Sequence, residues 1–126
     1  MKRILLAFGL IALAAISVAC SSAAAQPLSS GPVDANGPSV VAKDMKFTSP
    51  SVEVKAGTSF TLHFDNQDAA PHNVAIYTDS TASSAVSVGE IVTAGTKDQV
   101  VPALKAGTYF FRCDVHHDMT GTIVAK

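Results

Sequence analysis

Tryptophan is absent from this 126-residue chain, and aromatic and charged residues contribute only 6% and 15% of it. No cluster of lysine or arginine stands out, and the formal net charge is -1. A nucleic-acid surface, which needs concentrated cations, is therefore not indicated, and neither is an acidic disordered chain. Beyond Pro38 no stretch of ten or more residues carries the apolar stripe of a helix. Cysteine occurs only twice, at Cys20 and Cys113. The length suits one core and leaves no room for a second.

The first residues do carry a signal. Lys2 and Arg3 precede an uncharged apolar run of 16 residues from Ile4 to Ala19, followed by small residues. A permanent helical span needs about 20 apolar residues, so this layout predicts an export signal rather than an anchor helix. Ser17-Val18-Ala19-Cys20 resembles a bacterial lipobox, in which Cys20 would be acylated and become the first mature residue, although Ser17 replaces the usual leucine. Ala23-Ala24-Ala25 would instead suit ordinary signal peptidase. The lipobox is favoured because Cys20 closes the apolar run. Loss of Lys2 and Arg3 from the nine basic residues leaves seven against ten acidic ones, so the mature domain is mildly acidic and its partner is expected to carry basic patches. Either cleavage leaves Cys113 as the one thiol of the mature domain, an odd thiol in an oxidising compartment that something must occupy.

From Ser21 to Pro38 the chain is rich in Ser, Ala, Gly, Pro and Asn and too poor in bulky apolar groups to be ordered by packing. The expected organisation is a lipoprotein-type signal over 1–19, a flexible tether over 20–38 and one domain over 39–126. Within that domain Val52 and Val54, then Phe60, Leu62 and Phe64, alternate with polar neighbours at the period of half-buried strands. Tyr109 and Phe111 lead to Cys113 in the same alternation, which places the sulfur on the inward face of a strand end. Lys-Ala-Gly-Thr occurs at 55–58 and again at 105–108, where Gly57 and Gly107 supply turn chemistry before an aromatic strand. The stretch from Thr78 to Gly89 has weak periodicity and reads as a long surface connection. Seven or so strands predict an all-β domain, a small antiparallel sandwich.

The chemistry concentrates in Phe111-Arg112-Cys113-Asp114-Val115-His116-His117-Asp118-Met119-Thr120-Gly121, with Pro71-His72-Asn73-Val74 upstream. Two imidazoles, a thiolate and a weak axial thioether are the donor set of blue-copper centres, whereas zinc prefers a fourth ligand other than a thioether. The expected cofactor is one type 1 copper ion.

On these residues the chain, from about Ser39 to Lys126, resembles the cupredoxin family in its small plastocyanin and amicyanin branch. His72 followed by Asn73 matches the family's first element, and Cys113-x-x-His116-x-x-Met119 matches its C-terminal ligand loop. The resemblance implies a Greek-key β-sandwich of about seven to eight strands. It also implies metal ligation by His72, Cys113 and His116 in a plane with Met119 axial, Asn73 bracing the ligand loop, and His116 as the electron port through an apolar patch. Pro71 precedes the histidine as in plastocyanins and has no ligand role.

Taken singly, His72 would be an ordinary strand or loop histidine, Met119 core filler and Cys113 an inert buried thiol; their joint spacing argues otherwise. His117 stands where related loops often have proline and is assigned to the surface, and His63 is read as an exposed strand residue. Asp65, Asp68, Asp114 and Asp118 lack calcium-loop spacing and are read as solvated loop charges. The expected function is single-electron transfer between a redox donor and acceptor outside the cytoplasm, periplasmic or at the cell surface, by a monomer held to the membrane through Cys20. The alternative is delivery of copper to an oxidase. An enzyme is not expected, because multi-electron copper enzymes need further centres with paired His-x-His ligands and the four histidines here include no such pair.

Overall fold

A computed structural model describes residues 37–126. The expected signal, the lipid site Cys20 and most of the expected tether lie outside the described residues. Nine strands follow one another: β1 Ser39–Lys43, β2 Lys46–Phe47, β3 Ser51–Val54, β4 Phe60–Asn66, β5 Ala75–Tyr77, β6 Ala85–Val88, β7 Gly95–Val101, β8 Gly107–Arg112 and β9 Thr120–Ala125. They form two sheets, β2-β1-β4-β7 and β3-β9-β8-β5-β6, and the chain changes sheet five times, which makes an all-β Greek-key sandwich. No helix occurs among the described residues.

Alternation builds the core. In β4 the side chains of Leu62, Phe64 and Asn66 are buried while their neighbours are half-exposed, and in β9 Gly121, Ile123 and Ala125 face inward. The two inner faces meet through Phe47, whose ring lies 5.2 Å from Phe111 in a tilted arrangement and 6.5 Å from Phe64 edge to face. Leu62, Ile76, Val101, Phe111 and Ile123 are fully buried. Gly57 and Gly107 both have positive φ, as the turn reading of the two Lys-Ala-Gly-Thr segments requires.

Four details differ from the sequence expectation. The sandwich has nine strands, and two neighbours, β1 with β4 and β3 with β9, are parallel rather than antiparallel. Alternation of side chains is the same whichever way the neighbour runs, so parallel pairing leaves no mark in the sequence. The stretch from Thr78 to Gly89 is also not wholly connection, because β6 within it pairs with β5. As an edge strand β6 needs no continuous apolar face. His63 is half-buried on β4, with Nδ1 2.6 Å from Asp98 Oδ1 and Nε2 buried without a partner, rather than simply exposed.

Candidate metal centre

Four connections meet at one end of the sandwich: the β1–β2 turn, the β4–β5 and β6–β7 crossings, and the β8–β9 loop. His72 lies on the β4–β5 crossing. Its backbone is fixed by a reciprocal pair of hydrogen bonds with Val92 on the β6–β7 crossing, 3.0 Å from His72 N to Val92 O and 2.8 Å in return. Cys113 follows the end of β8, and the loop from it to Met119 is closed by Cys113 N donating to Met119 O at 2.9 Å and Met119 N to His116 O at 3.0 Å. Asn73 joins the two segments. Its Oδ1 accepts from Asp114 N at 2.8 Å and its Nδ2 donates to Gly89 O at 3.1 Å.

The result is convergence. His72 Nδ1 lies 3.7 Å from Cys113 Sγ and 3.1 Å from His116 Nδ1, and the ligand atoms of all three residues lie within 4.8 Å of one another. Bonds of about 2.0 Å to imidazole nitrogen and 2.3 Å to thiolate sulfur bridge separations of this size, so the three donors fit one first-row metal ion. His72 and Cys113 are inaccessible to solvent, Met119 is buried in the same loop, and His116 alone is partly exposed. His116 N also approaches Cys113 Sγ at 3.4 Å, a contact that suits a charged sulfur. Cys113 is buried and in no disulfide.

The surroundings select the tautomer of the His72 ring. Its Nε2 lies 3.1 Å from Asp68 Oδ2, and a carboxylate accepts, so Nε2 carries the proton and Nδ1 keeps its lone pair for the site. The Met45 backbone N–H, followed by those of Asp44 and the His72 ring, holds the Asp68 carboxyl below the usual carboxylate range against the opposing effect of burial. On the loop's other flank Asp114 Oδ1 receives Tyr77 Oη at 2.7 Å and Arg112 Nε at 3.0 Å, and the Arg112 guanidinium sits 5.1 Å from the centre of the Tyr77 ring. The hydrogen bond to Asp114 raises the Tyr77 hydroxyl above its ordinary value and also raises Arg112. Two of the four aspartates read from sequence as solvated charges, Asp68 and Asp114, are thus built into the frame of the site. The missed signal was spacing: Asp68 lies four residues before His72, and Asp114 directly follows Cys113. His117 is exposed, as expected, with Nε2 3.1 Å from Asp114 O.

The family model described as a cupredoxin-like domain matches residues 9–125. The chain belongs to the cupredoxin family. It is 31% identical over 103 residues to amicyanin from Paracoccus versutus, covering 80% of this chain and 74% of that protein. The crystal structure of that amicyanin superposes with a TM-score of 0.58 at 29% identity, over 75% of this chain and 86% of the other. The fold is also similar to reduced auracyanin from Roseiflexus castenholzii, with a TM-score of 0.63 at 17% identity over 70% of this chain and 94% of that one. For a cupredoxin with a thiolate and two imidazole nitrogens converging in a buried site, the cofactor is one copper ion.

Proposed function

We propose that this protein carries single electrons, with copper held by His72, Cys113, His116 and Met119, and that it works outside the cytoplasm. When bound, the copper supplies a one-electron couple between Cu(I) and Cu(II). The chain's own contribution is rigidity: the Val92 bridge, the Asn73 clamp and the Cys113–Met119 closure hold the donors in place, so that little moves when the electron arrives. Asn73 braces the ligand loop, and Met119 would supply a weak thioether donor to the copper.

One observation carries this reading above the others. Of the converging donors only His116 reaches solvent, so the electron has one short way in and out. Three of the exposed large apolar side chains stand on connections tied to that end: Met45 on the β1–β2 turn, Ile91 beside Val92, and Val115 within the ligand loop. They suit a dry, transient contact with a donor or acceptor protein around His116. The protein acts as a monomer and not as an enzyme in this reading. An export signal over 1–19 delivers it, a lipid on Cys20 anchors it, and the tether over 20–38 lets the 39–126 domain reorient toward partners. Mass spectrometry of the mature N-terminus tests the anchor: a diacylglyceryl adduct on Cys20 supports it, and a start after Ala25 overturns it.

The visible spectrum of the Cu(II)-loaded protein, beside Cys113→Ser, tests the electron-carrier reading. An intense thiolate-to-copper band that bleaches reversibly with reductant and is lost in the variant is the expected result. Copper bound without that band would refute it and favour copper delivery, the reading in which metal passes to an acceptor instead of staying through many redox cycles.

A further inference from the structure

Asp68 has more to do than a loop charge needs. Its Oδ1 accepts the Asp44 backbone N–H at 2.8 Å, and its Oδ2 accepts both the Met45 N–H at 3.0 Å and the His72 ring Nε2 at 3.1 Å. Asp44 and Met45 are the two central residues of the β1–β2 turn, with φ of 53° and 59°. Lys43 pairs with Lys46 across them, which is the pattern of a two-residue hairpin turn with both φ positive. Asn-Gly or Asp-Gly usually fills such a turn, and Met45 in the left-handed region is strained without outside help. The Asp68 carboxylate provides that help. Asp68 is itself seated, because its N–H donates to Asn66 Oδ1 at 3.0 Å while the buried Asn66 Nδ2 holds Ala70 O and Val92 O at 2.8 and 2.7 Å.

Resting on the reading that His72 is a copper ligand, we infer that Asp68 is a positioning residue. Its charge fixes the Nε2–H form of His72, strengthens Nδ1 as a donor, and ties that donor to the β1–β2 turn. A carboxylate on the far nitrogen makes an imidazole more electron-rich, which favours Cu(II) over Cu(I) and lowers the reduction potential. The turn also bears Met45 at the face proposed for docking.

Asparagine at 68 keeps the shape but not the chemistry. Three donors face two carboxylate oxygens, and an amide presents a donor where one of those oxygens stood. In one orientation the Asp44 N–H loses its acceptor and in the other the Met45 N–H and the imidazole both do, while the charge is lost in either. In Asp68→Asn the affinity for Cu(II) falls by about tenfold, the lower end of the range for outer contacts of a metal ligand. With Cu(I) affinity nearly unchanged, that tenfold corresponds to a rise in potential of about 59 mV for one electron. Asp68→Glu, which retains the charge, moves the potential back toward the parent value. Asp98→Asn, which breaks the His63 pair instead, leaves it unchanged. An Asp68→Asn potential within the spread of Asp98→Asn overturns the inference.

A second measurement stands apart from copper. Nitrogen-15 NMR of the metal-free protein should find the His72 proton on Nε2 with Nδ1 bare. A proton on Nδ1 overturns the inference even if the Asp68→Asn protein does not fold. Loss of the reversible copper couple in the parent protein, with the Nε2–H form still observed, would sink the electron-carrier reading and leave the role of Asp68 toward His72 intact.

Discussion

Asn73→Ala tests the clamp that joins the two halves of the site. The side chain is 2% exposed, and the substitution deletes an acceptor 2.8 Å from Asp114 N and a donor 3.1 Å from Gly89 O. Each buried polar group left without a partner costs about 1–3 kcal/mol. Asp114 and Gly89 are each only partly buried, and water reaches such groups more readily, so the lower half of that range applies and the sum is about 3 kcal/mol. For a domain of this size each kcal/mol lowers the melting temperature by about 4–8 °C, so the metal-free protein should melt about 12–24 °C lower. The copper affinity should fall with it, by about 10–100-fold, because the peptide after Cys113 loses its tie to the residue after His72. Thermal unfolding by circular dichroism and a competitive copper titration read the two effects. A loss of stability below about 1 kcal/mol with unchanged copper affinity would show that the loop is held by its own backbone bonds and that the clamp reasoning is wrong.

Gly121→Ala places a methyl 2.7 and 2.8 Å from the Cε1 and Cε2 atoms of Phe111, a ring with no free surface to move into; overpacking of this kind costs about 1–3 kcal/mol, and an unchanged urea midpoint would contradict it. Copper loading stabilises the fold by about 4 kcal/mol at a free concentration one thousand times the dissociation constant, and calorimetry with and without metal measures this; equal melting temperatures would mean that the donors do not act together. Asp79, whose carboxyl is held below its ordinary value by the Thr81 hydroxyl and N–H, contributes stability above its unfolded pKa of 3.8 that is lost as pH falls through the lower folded value. Accordingly Asp79→Asn should be less stable than the parent at neutral pH and the gap should close on acidification, in chemical denaturation of the metal-free protein. A gap that widens toward low pH would reverse the sign of this argument.

Much of the candidate site was legible because side chains suited to a copper ion stand out through donor chemistry and spacing. Cys113, His116 and Met119 lie within seven residues, and the Tyr109, Phe111, Cys113 alternation aimed the sulfur inward as observed. β3 and β4 were equally clear, since each buries one face. The rest was hidden for physical reasons. β6 and most of β7 lie at sheet edges with exposed side chains, so no apolar rhythm marks them. Met45 at positive φ gives no local turn signal, because its conformation is held by Asp68 from 23 residues away. Asp68 itself looks like any acidic loop residue until the fold brings three donors to its carboxylate.

β9, the ninth strand in chain order, lies between the edge strand β3 and the central strand β8 of the five-stranded sheet. A growing chain that has reached only β8 therefore has Cys113 still to come, and it leaves β3 without its only partner in that sheet. Completion of the five-stranded sheet and closure of the ligand loop therefore both depend on the final strand. The last strand to be made is thus also the one that pins the far side of the loop bearing Cys113, His116 and Met119.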